Sequence, residues 1–250
     1  MSDDPTSVLL EGRIAVEAAL RGRFRDIDRL LLEKDDDDRR TRRLERDASG
    51  CGVPVRRAPR SEIDAMASGK THGGVLAVAG PRRFQALDDL VPADRNAFIA
   101  MLDGIEDPYN LGYALRSLHA FGVDGVVVRV REWTSSAATV IRASAGASEL
   151  LPMAQVDEPG DAVSHFRDRG IMVAATGRHD GAVSIFETDL SPAMFLIIGG
   201  ERRGIQRSCA NAIDLWLTIP YDRPFEPALA TVSAAAVIGF EVMRQRTGGR

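Results

Sequence analysis

Three segments, each at or directly after the end of an apolar run, carry the residue types best suited to chemistry in this sequence. The first, residues 103–116, reads DGIEDPYNLGYALR, in which Asn110 is a good N-cap and an apolar stripe begins at Leu111 with i, i+3, i+4 and i+7 spacing. Arg116 lies off that stripe and is free to face a cleft. Polar side chains just beyond a strand's carboxyl end occupy the usual ligand edge of a parallel α/β sheet. The segment is therefore either part of a ligand site or a capped surface helix with a solvated arginine.

The second segment, residues 198–205, reads IGGERRGI. Glycine lacks a Cβ, so its backbone can approach a ligand closely or turn sharply. Glu201 follows two glycines, in a position where a carboxylate could orient a polar ligand. The pattern is neither G-x-G-x-x-G nor a P-loop, so it supports neither a dinucleotide fingerprint nor a nucleoside-triphosphate site. An ordinary turn from strand to helix is the alternative.

The third segment begins with residues 217–220, LTIP, and leads through a loop into an alanine-rich helix over residues 228–241. Small residues on one face of a helix permit close approach to another element or to a second subunit. The face predicted to do so comprises Val232, Ala235, Ala236, Gly239 and Val242.

The helices and strands that must position these segments fall into two predicted domains. Residues 8–80 predict a small α/β unit, residues 81–94 read as a polar linker, and residues 95–250 form a second domain. In the second domain, short uninterrupted apolar runs between helical segments predict a parallel sheet buried on both faces. Its predicted strands are Phe98–Leu102, Gly125–Val128, Ile171–Ala175, Met194–Ile198 and Leu215–Ile219. In the first unit, strands are predicted at Ile27–Leu32, Val53–Val55 and Val75–Ala79, and helices over Glu11–Leu20, over Arg39–Ala48 and from Ser61 to Gly69.

Composition narrows the classes of function. Hydrophobic residues make up 44% and charged residues 27% of the 250 residues, values that are ordinary for a soluble globular protein. No apolar run approaches the roughly 20 residues needed to span a bilayer, and no secretory signal is visible, so we expect a cytoplasmic protein without a membrane partner. The two cysteines and four histidines show no metal-ligand spacing. The net charge of −4 does not indicate a nucleic-acid binder, so any contact with RNA must come from local clusters.

In their order and spacing, these segments resemble the sequence motifs of the SpoU/TrmH methyltransferases, within the SPOUT superfamily. Residues 107–112, DPYNLG, with Arg116 resemble motif one, and residues 144–147, SAGA, resemble a further signature of the family. Residues 198–201, IGGE, resemble motif two, and Ile219-Pro220 resembles the start of motif three. Each motif alone is weakly specific, whereas the ordered set is strong.

The first half of the chain extends the resemblance. Residues 11–16, EGRIAV, and residues 71–75, THGGV, are similar to the start and end of the small RNA-binding domain that many members carry. The resemblance implies a SPOUT-type α/β catalytic domain with a C-terminal trefoil knot, preceded by a small α/β RNA-binding domain. It also implies a homodimer with active sites near the subunit interface.

The activity implied by the resemblance is methylation of a ribose 2′-hydroxyl in RNA, ribosomal more than transfer RNA, with S-adenosylmethionine as methyl donor. The positions that match polar active-site residues are Asn110, Arg116 and Glu201, and those that match the cofactor-binding backbone are Gly199, Gly200, Ile219, Pro220 and Leu229. A neutral hydroxyl is a poor nucleophile, so it must be positioned and its proton shared. Since an arginine is an awkward base, we assign Arg116 to phosphate binding or to polarising the hydroxyl, with Asn110 and Glu201 orienting it.

Arginines of the first unit are the expected RNA contacts, because a guanidinium pairs with phosphate and stacks on bases. The candidates are Arg13, Arg21, Arg23, Arg25, Arg56 and Arg57. A surface of solvated arginines balanced by nearby carboxylates is the alternative, and Arg39–Arg46 is expected to be such a solvated helix.

Motif three departs from the family pattern. Where the family normally has Ser-Leu-Asn-Val-Ser, residues 228–232 read ALATV, so Ala230 and Val232 replace two polar residues. On a helix, Thr231 and Ser233 would face elsewhere unless the register shifts. The chain therefore has a modified site, methylates an unusual target, or is a noncatalytic RNA-binding or ribosome-associated factor. An α/β enzyme that uses a different nucleotide cofactor is the third reading.

Overall fold

The computed structural model describes residues 7–130, 136–177, 179–200, 204–205, 207–224 and 226–248. Its strands are β1 Val8–Glu11, β2 Ile27–Glu33, β3 Val55–Ala58, β4 Val75–Ala79, β5 Phe98–Asp103, β6 Gly125–Arg129, β7 Met153–Val156, β8 Met172–Thr176, β9 Val183–Ser184, β10 Met194–Gly199 and β11 Leu215–Thr218. Its α-helices are α1 Arg13–Gly22, α2 Arg39–Gly50, α3 Arg60–Met66, α4 Pro108–Ala120, α5 Ala137–Ala143, α6 Pro159–Arg167, α7 Arg207–Ala210 and α8 Thr231–Thr247. Short 3-10 turns lie at Asp88–Leu90 and Ala147–Glu149.

The chain divides into two compact units. Unit 1 comprises residues 1–83 and 132–150, and unit 2 comprises residues 84–131 and 151–250. The domain boundaries expected from the sequence put all of residues 95–250 in the second domain. The structure instead groups residues 132–150 with unit 1. The apolar residues of α5 give the reason, because Ala137 and Ile141 pack into the core of unit 1. An amphipathic helix indicates in its sequence that one face is buried, but it does not indicate which sheet buries that face.

Unit 1 is a four-stranded sheet in the order β1-β4-β2-β3, with β4 antiparallel to both β1 and β2, and β3 parallel to β2. β1 was not expected from the sequence, where its four residues lie just before a helical pattern. The predicted strand at Val53–Val55 lies two residues further on, at Val55–Ala58. The helix expected to be capped by Ser61 starts instead at Arg60, without a side-chain cap.

Unit 2 is a seven-stranded sheet in the order β7-β6-β5-β10-β8-β11-β9, and every pair in it is parallel. The expected α/β architecture with a parallel sheet is confirmed, and all five predicted strands are present with ends within one residue of the prediction. β5 and β10 are buried almost throughout, which explains their uninterrupted apolar sequences. β7 and β9 were missed because they are short and only partly apolar.

A buried ion pair fixes the segment 147–149 within unit 1. Arg25 Nε donates to Glu149 Oε2 at 2.8 Å, and Arg25 also donates to the carbonyl of Gly80 at 3.1 Å. Arg82 lies 3.9 Å from the other carboxylate oxygen and donates to the carbonyl of Ser148. Burial lowers the pKa of Arg82 to about 10, so Arg82 stays charged at neutral pH. Glu149 is therefore the counter-ion that lets two guanidinium groups be buried.

Substitution of Glu149 by alanine is expected to destabilise unit 1 by about 3–5 kcal/mol, because it leaves buried positive charge without compensation. Denaturant unfolding measures this loss. Glu158→Ala removes an exposed carboxylate that contacts Arg129 only at 3.5 Å, and it is the control expected to change stability little. Equal effects of the two variants would contradict the role given to Glu149.

Candidate functional site

A cavity of about 600 Å³ opens at the carboxyl edge of the unit 2 sheet. It lies where three neighbouring parallel strands, β10, β8 and β11, end, and where α8 begins. This edge is the usual ligand site of such sheets. The lining residues are Thr176, Gly177, Ile198, Gly199, Gly200, Gly204, Leu217, Thr218, Ile219, Pro220, Tyr221, Arg223, Glu226, Ala228, Leu229, Thr231 and Ala234.

All five residues that the sequence predicted to contact a cofactor line this one cavity: Gly199, Gly200, Ile219, Pro220 and Leu229. They come from two loops separated by about twenty residues in sequence, and the adjacency of β10, β8 and β11 brings the loops together. Their role as ligand contacts stays a prediction at this point.

Gly199, the last residue of β10, and Gly200, which follows it, are required by packing of backbone against backbone. A Cβ on Gly199 would lie 2.8 Å from the carbonyl carbon of Gly204, and one on Gly200 would lie 2.7 Å from the carbonyl oxygen of Gly104. Gly104 itself has φ of +76° and follows β5 directly. Glycine at these positions thus closes the turn after β10 and seats the loop after β5 against it.

Thr231 joins the loop after β10 to the start of α8. Ala230 has non-helical backbone angles, φ −53° and ψ 143°, so α8 begins at Thr231. The buried Thr231 hydroxyl donates to the carbonyl of Gly199 at 3.0 Å and lines the cavity. The expectation that Thr231 would face elsewhere is wrong, because it assumed that the helix ran through residues 228–230. A hydroxyl therefore reaches the cavity beside Ala230, where the family pattern has a polar side chain.

Tyr221 holds a loop that lines part of the cavity. Its hydroxyl accepts the backbone N–H of Leu229 at 2.9 Å and lies 3.5 Å from the carbonyl oxygen of Pro227. The Leu229 N–H is therefore already engaged within the chain. Sequence reasoning missed both Tyr221 and Thr231, and the available signal was a tyrosine directly after Ile219-Pro220 in a proline-containing loop.

The predicted catalytic residues that the structure describes, unlike the predicted cofactor-binding residues, are not found among the residues that line the cavity. Asp107, not Asn110, caps α4, since its Oδ1 accepts the backbone N–H groups of Tyr109 and Asn110 at 2.7 and 3.0 Å. Pro108 occupies the first helical position, which favours this start. Asn110 is half-buried in the first turn and Arg116 is exposed on the same helix, and neither lines the cavity. Glu201 lies outside the described residues.

The apolar faces of α4 and α8 agree only in part with the sequence pattern. The stripe that begins at Leu111 is buried as expected. On α8, Ala235, Gly239 and Val242 are buried, whereas Val232 and Ala236 are only partly so. The side chain of Phe240 is 48% exposed, and its ring lies edge-on to that of Phe121 at 5.7 Å.

Most of the arginines expected to bind RNA are engaged within unit 1. The prediction for Arg25 is wrong, because Arg25 is buried against Glu149. Arg57 donates to two backbone carbonyls and to Glu45. Arg13 donates to Thr41 at 2.9 Å, and Arg56 pairs with Glu62. Arg21 and Arg23 are exposed.

Neither a metal site nor a membrane span was expected. Within the ranges that the structure describes, no three His, Cys, Asp or Glu side chains are grouped so that they could hold a metal ion. The described helices also include none with the length and apolarity to cross a bilayer.

Comparisons with known proteins match two consecutive segments of the chain to two family models. Residues 97–239 match the sequence model of the SpoU rRNA methylase family. Residues 9–85 match the model of the RNA 2′-O ribose methyltransferase substrate-binding domain. The family match covers more than half of the 250 residues. The fold and site thus define a two-part α/β protein of the RNA methyltransferase class.

Two relatives extend the similarity over most of the chain. An uncharacterized tRNA/rRNA methyltransferase of Mycobacterium ulcerans is 32% identical over 213 residues, which is 84% of this chain and 68% of the relative. A protein of Staphylococcus aureus assigned to the TrmH family of tRNA/rRNA methyltransferases is 30% identical over 244 residues, 95% of this chain and 96% of the relative. The chain belongs to the SpoU/TrmH family of RNA methyltransferases.

Solved structures share the fold. The SpoU methyltransferase AviRb from Streptomyces viridochromogenes, in complex with AdoMet, aligns with a TM-score of 0.79 at 22% identity, over 98% of this chain and 92% of that one. An AdoMet-bound rRNA methyltransferase from Sinorhizobium meliloti aligns with a TM-score of 0.78 at 22% identity, over 97% and 88%.

Replacing Thr231 by valine keeps nearly the same shape and deletes the hydrogen bond to Gly199. We expect a loss of about 1 kcal/mol in the free energy of unfolding, since one part-buried hydrogen bond is removed and a carbonyl is left unpaired. Chemical denaturation of the full-length protein measures the loss. Ser233→Ala, on the exposed side of the same helix, is the control, and a Thr231→Val variant as stable as this control would contradict the assignment.

Proposed function

We propose that this protein transfers a methyl group from S-adenosylmethionine to a ribose 2′-hydroxyl of RNA in the cytoplasm, and that ribosomal RNA is its substrate in preference to transfer RNA. The observation that carries the proposal is the convergence of Gly199, Gly200, Ile219, Pro220 and Leu229 on one cavity. AdoMet-bound relatives of the same fold and the substrate-binding match over residues 9–85 support it.

The cavity fits the chemistry of this cofactor. Its volume of about 600 Å³ lies within the roughly 300–1,000 Å³ of small-ligand pockets. Ile198, Leu217 and Leu229 supply apolar wall for a purine ring. Ile219 lies outside the strands. Its backbone N–H and carbonyl make no hydrogen bond to the residues that the structure describes, so they are available to bind the polar edge of the purine ring. Exposed Arg223 and Glu226 offer charges of both signs at the rim for an amino-acid moiety.

When bound, S-adenosylmethionine supplies an electrophilic methyl group on a sulfonium. The protein's own task is to place the ribose hydroxyl in line with that methyl group and to stabilise the oxygen as its proton passes to solvent water. Arg116 suits the second task, because it is exposed and makes no ion pair to any residue described. Its permanent charge favours contact with phosphate or with the developing oxyanion over proton abstraction. Asn110, six residues earlier on α4, orients the RNA backbone in this proposal, together with Glu201.

A trefoil knot and a homodimer complete the proposal. The likeness to SpoU methyltransferase structures supports the knot, and the hydrogen bond from Thr231 back to Gly199 links the two segments that such a knot would cross. Exposed aromatic side chains support the dimer: Tyr109 and Tyr113 on α4 and Phe240 on α8 are 51%, 46% and 48% exposed. These side chains lie on two helices that pack against each other, which makes this pair of helices the proposed subunit contact.

A noncatalytic RNA-binding factor is the second candidate, and the replacement of polar residues by Ala230 and Val232 favours it. Transfer of a labelled methyl group separates the two. RNA from a strain that lacks the protein is incubated with purified protein and labelled S-adenosylmethionine, and ribosomal and transfer RNA are then counted separately. Label in ribose of ribosomal RNA supports the proposal, label in transfer RNA corrects the substrate, and no label with intact cofactor binding favours the second candidate.

Arg116→Ala is expected to reduce the single-turnover rate at saturating RNA by at least about 100-fold, with cofactor affinity unchanged, because the side chain lies outside the cavity. Arg129→Ala, a charge change on β6 outside the site, is the matched control. A near-wild-type rate for Arg116→Ala would remove Arg116 from the mechanism.

Tyr221→Phe deletes the hydroxyl that accepts the Leu229 N–H. We expect a roughly three- to ten-fold weaker affinity for S-adenosylmethionine by calorimetry, because the loop must then be ordered on binding. Tyr109→Phe, on α4, controls for loss of a hydroxyl in general. Unchanged affinity in Tyr221→Phe would show that the loop is not part of the cofactor site.

A further inference from the structure

Helix α2 presents a row of arginines opposite its buried side. At about 100° per residue, Arg39, Arg43 and Arg46 fall within about 60° of one another around the helix axis. The buried residues of the helix are Thr41, Leu44 and Ala48, on the other side. The row extends over about 10 Å along the helix and faces solvent throughout.

The charge of this row is largely uncompensated. The guanidinium groups of Arg39 and Arg46 make no hydrogen bond or ion pair to any residue that the structure describes. Arg43 lies 3.6 Å from Asp47, but both side chains are more than half exposed, and such a contact is weak in water. Arg42 is different, because Asp37 accepts two hydrogen bonds from it at 2.8 Å.

The acidic run that precedes the helix does not neutralise the row either. Asp38 caps the helix by accepting the Thr41 N–H at 2.6 Å, and Asp36 accepts from the Thr41 hydroxyl at 2.7 Å. With Asp37 held by Arg42, three of the four aspartates at residues 35–38 are engaged at the helix start. Of this run, Asp38 caps α2, whereas Asp36 and Asp37 accept from the side chains of Thr41 and Arg42.

This arrangement works against the stability of the helix. Arg39 and Arg40 occupy the first turn, where the helix dipole favours negative charge, and the first turn contains no acidic residue. Arg39 with Arg43, and Arg43 with Arg46, are like-charge neighbours at spacings of four and three residues, which repel. Helix stability gives no reason for the row, whereas an anionic partner does.

We propose that Arg39, Arg43 and Arg46 bind successive phosphates of the RNA substrate and hold it without regard to sequence. A guanidinium pairs with phosphate in two-point fashion, and a linear row matches a linear polyanion. The row also lies within residues 9–85, which match a substrate-binding domain. Arg13, Arg25 and Arg57, which the sequence predicted to bind RNA, are instead engaged internally. The inference rests on the proposed function in taking RNA as the substrate.

The test measures affinity for a short labelled hairpin RNA across a salt series, with the full-length chain and its Arg39→Gln/Arg43→Gln/Arg46→Gln variant. Each lost phosphate contact reduces the slope of log K against log salt by about 0.7–0.9. We therefore expect the slope to fall by about 2–3 and the affinity at ~0.1 M salt to fall by about 100-fold. The thermal midpoint without RNA should stay the same or rise, because repulsion is relieved.

Two matched variants sharpen the result. Lysines at the same three positions keep the charge and should keep most of the slope. Arg95→Gln/Arg167→Gln/Arg169→Gln removes three exposed charges from unit 2 and should leave the slope unchanged. A wild-type slope in the α2 variant, or an equal loss in the unit 2 variant, would overturn the proposal. Cofactor affinity and methyl transfer are measured on the wild type in parallel, so that failure of the catalytic function is seen separately from failure of the arginine row.

Discussion

The parallel pairing of β10 with β5 on one side and β8 on the other is the interaction on which the site depends. Ile198 of β10 lies opposite Leu102 of β5 and Thr176 of β8, so these three strands end side by side at the same edge of the sheet. The strand is buried over nearly its whole length, and burial of apolar surface fixes its register. A shift by one residue would exchange its two faces and separate Gly199 from Asp103, with which it is paired.

The loops are then joined by contacts to backbone atoms, which contribute little free energy but restrict the geometry. Gly200 lies against Gly104, and Thr231 donates to Gly199. A single hydrogen bond of this kind contributes about 1 kcal/mol, far less than the burial of the strands beneath it. These contacts therefore act mainly by fixing where the loops after β5, β10 and β11 meet. Unit 1 shows the same pattern. The ion pair Arg25–Glu149 fixes the position of the segment that contains α5, and the apolar side chains of α5 provide the buried surface.

The sequence predicted those features that depend on short-range pattern. Five strands of the parallel sheet were predicted because each is an uninterrupted apolar run, and the cavity residues because of their resemblance to family motifs. Features that depend on contacts between residues distant in sequence, or on where a helix starts, were not predictable. The cap of α4 is an exception, because Pro108 directly after Asp107 is a sequence signal that favours Asp107 over Asn110 as the capping residue. The burial of Arg25 requires a counter-ion, Glu149, that lies 124 residues away. Thr231 reaches the cavity only because the helix starts there and not at Ala228.

Hydrogen–deuterium exchange followed by mass spectrometry, with and without saturating S-adenosylmethionine, tests the central claim most directly. The loops after β8, β10 and β11 enclose the ligand in this account. Slower exchange is therefore expected in peptides that contain Gly177, Gly199–Gly200 and the 219–229 loop, with little change in unit 1. Unaltered exchange in all three loops at a ligand concentration that saturates binding, or protection confined to unit 1, would contradict it.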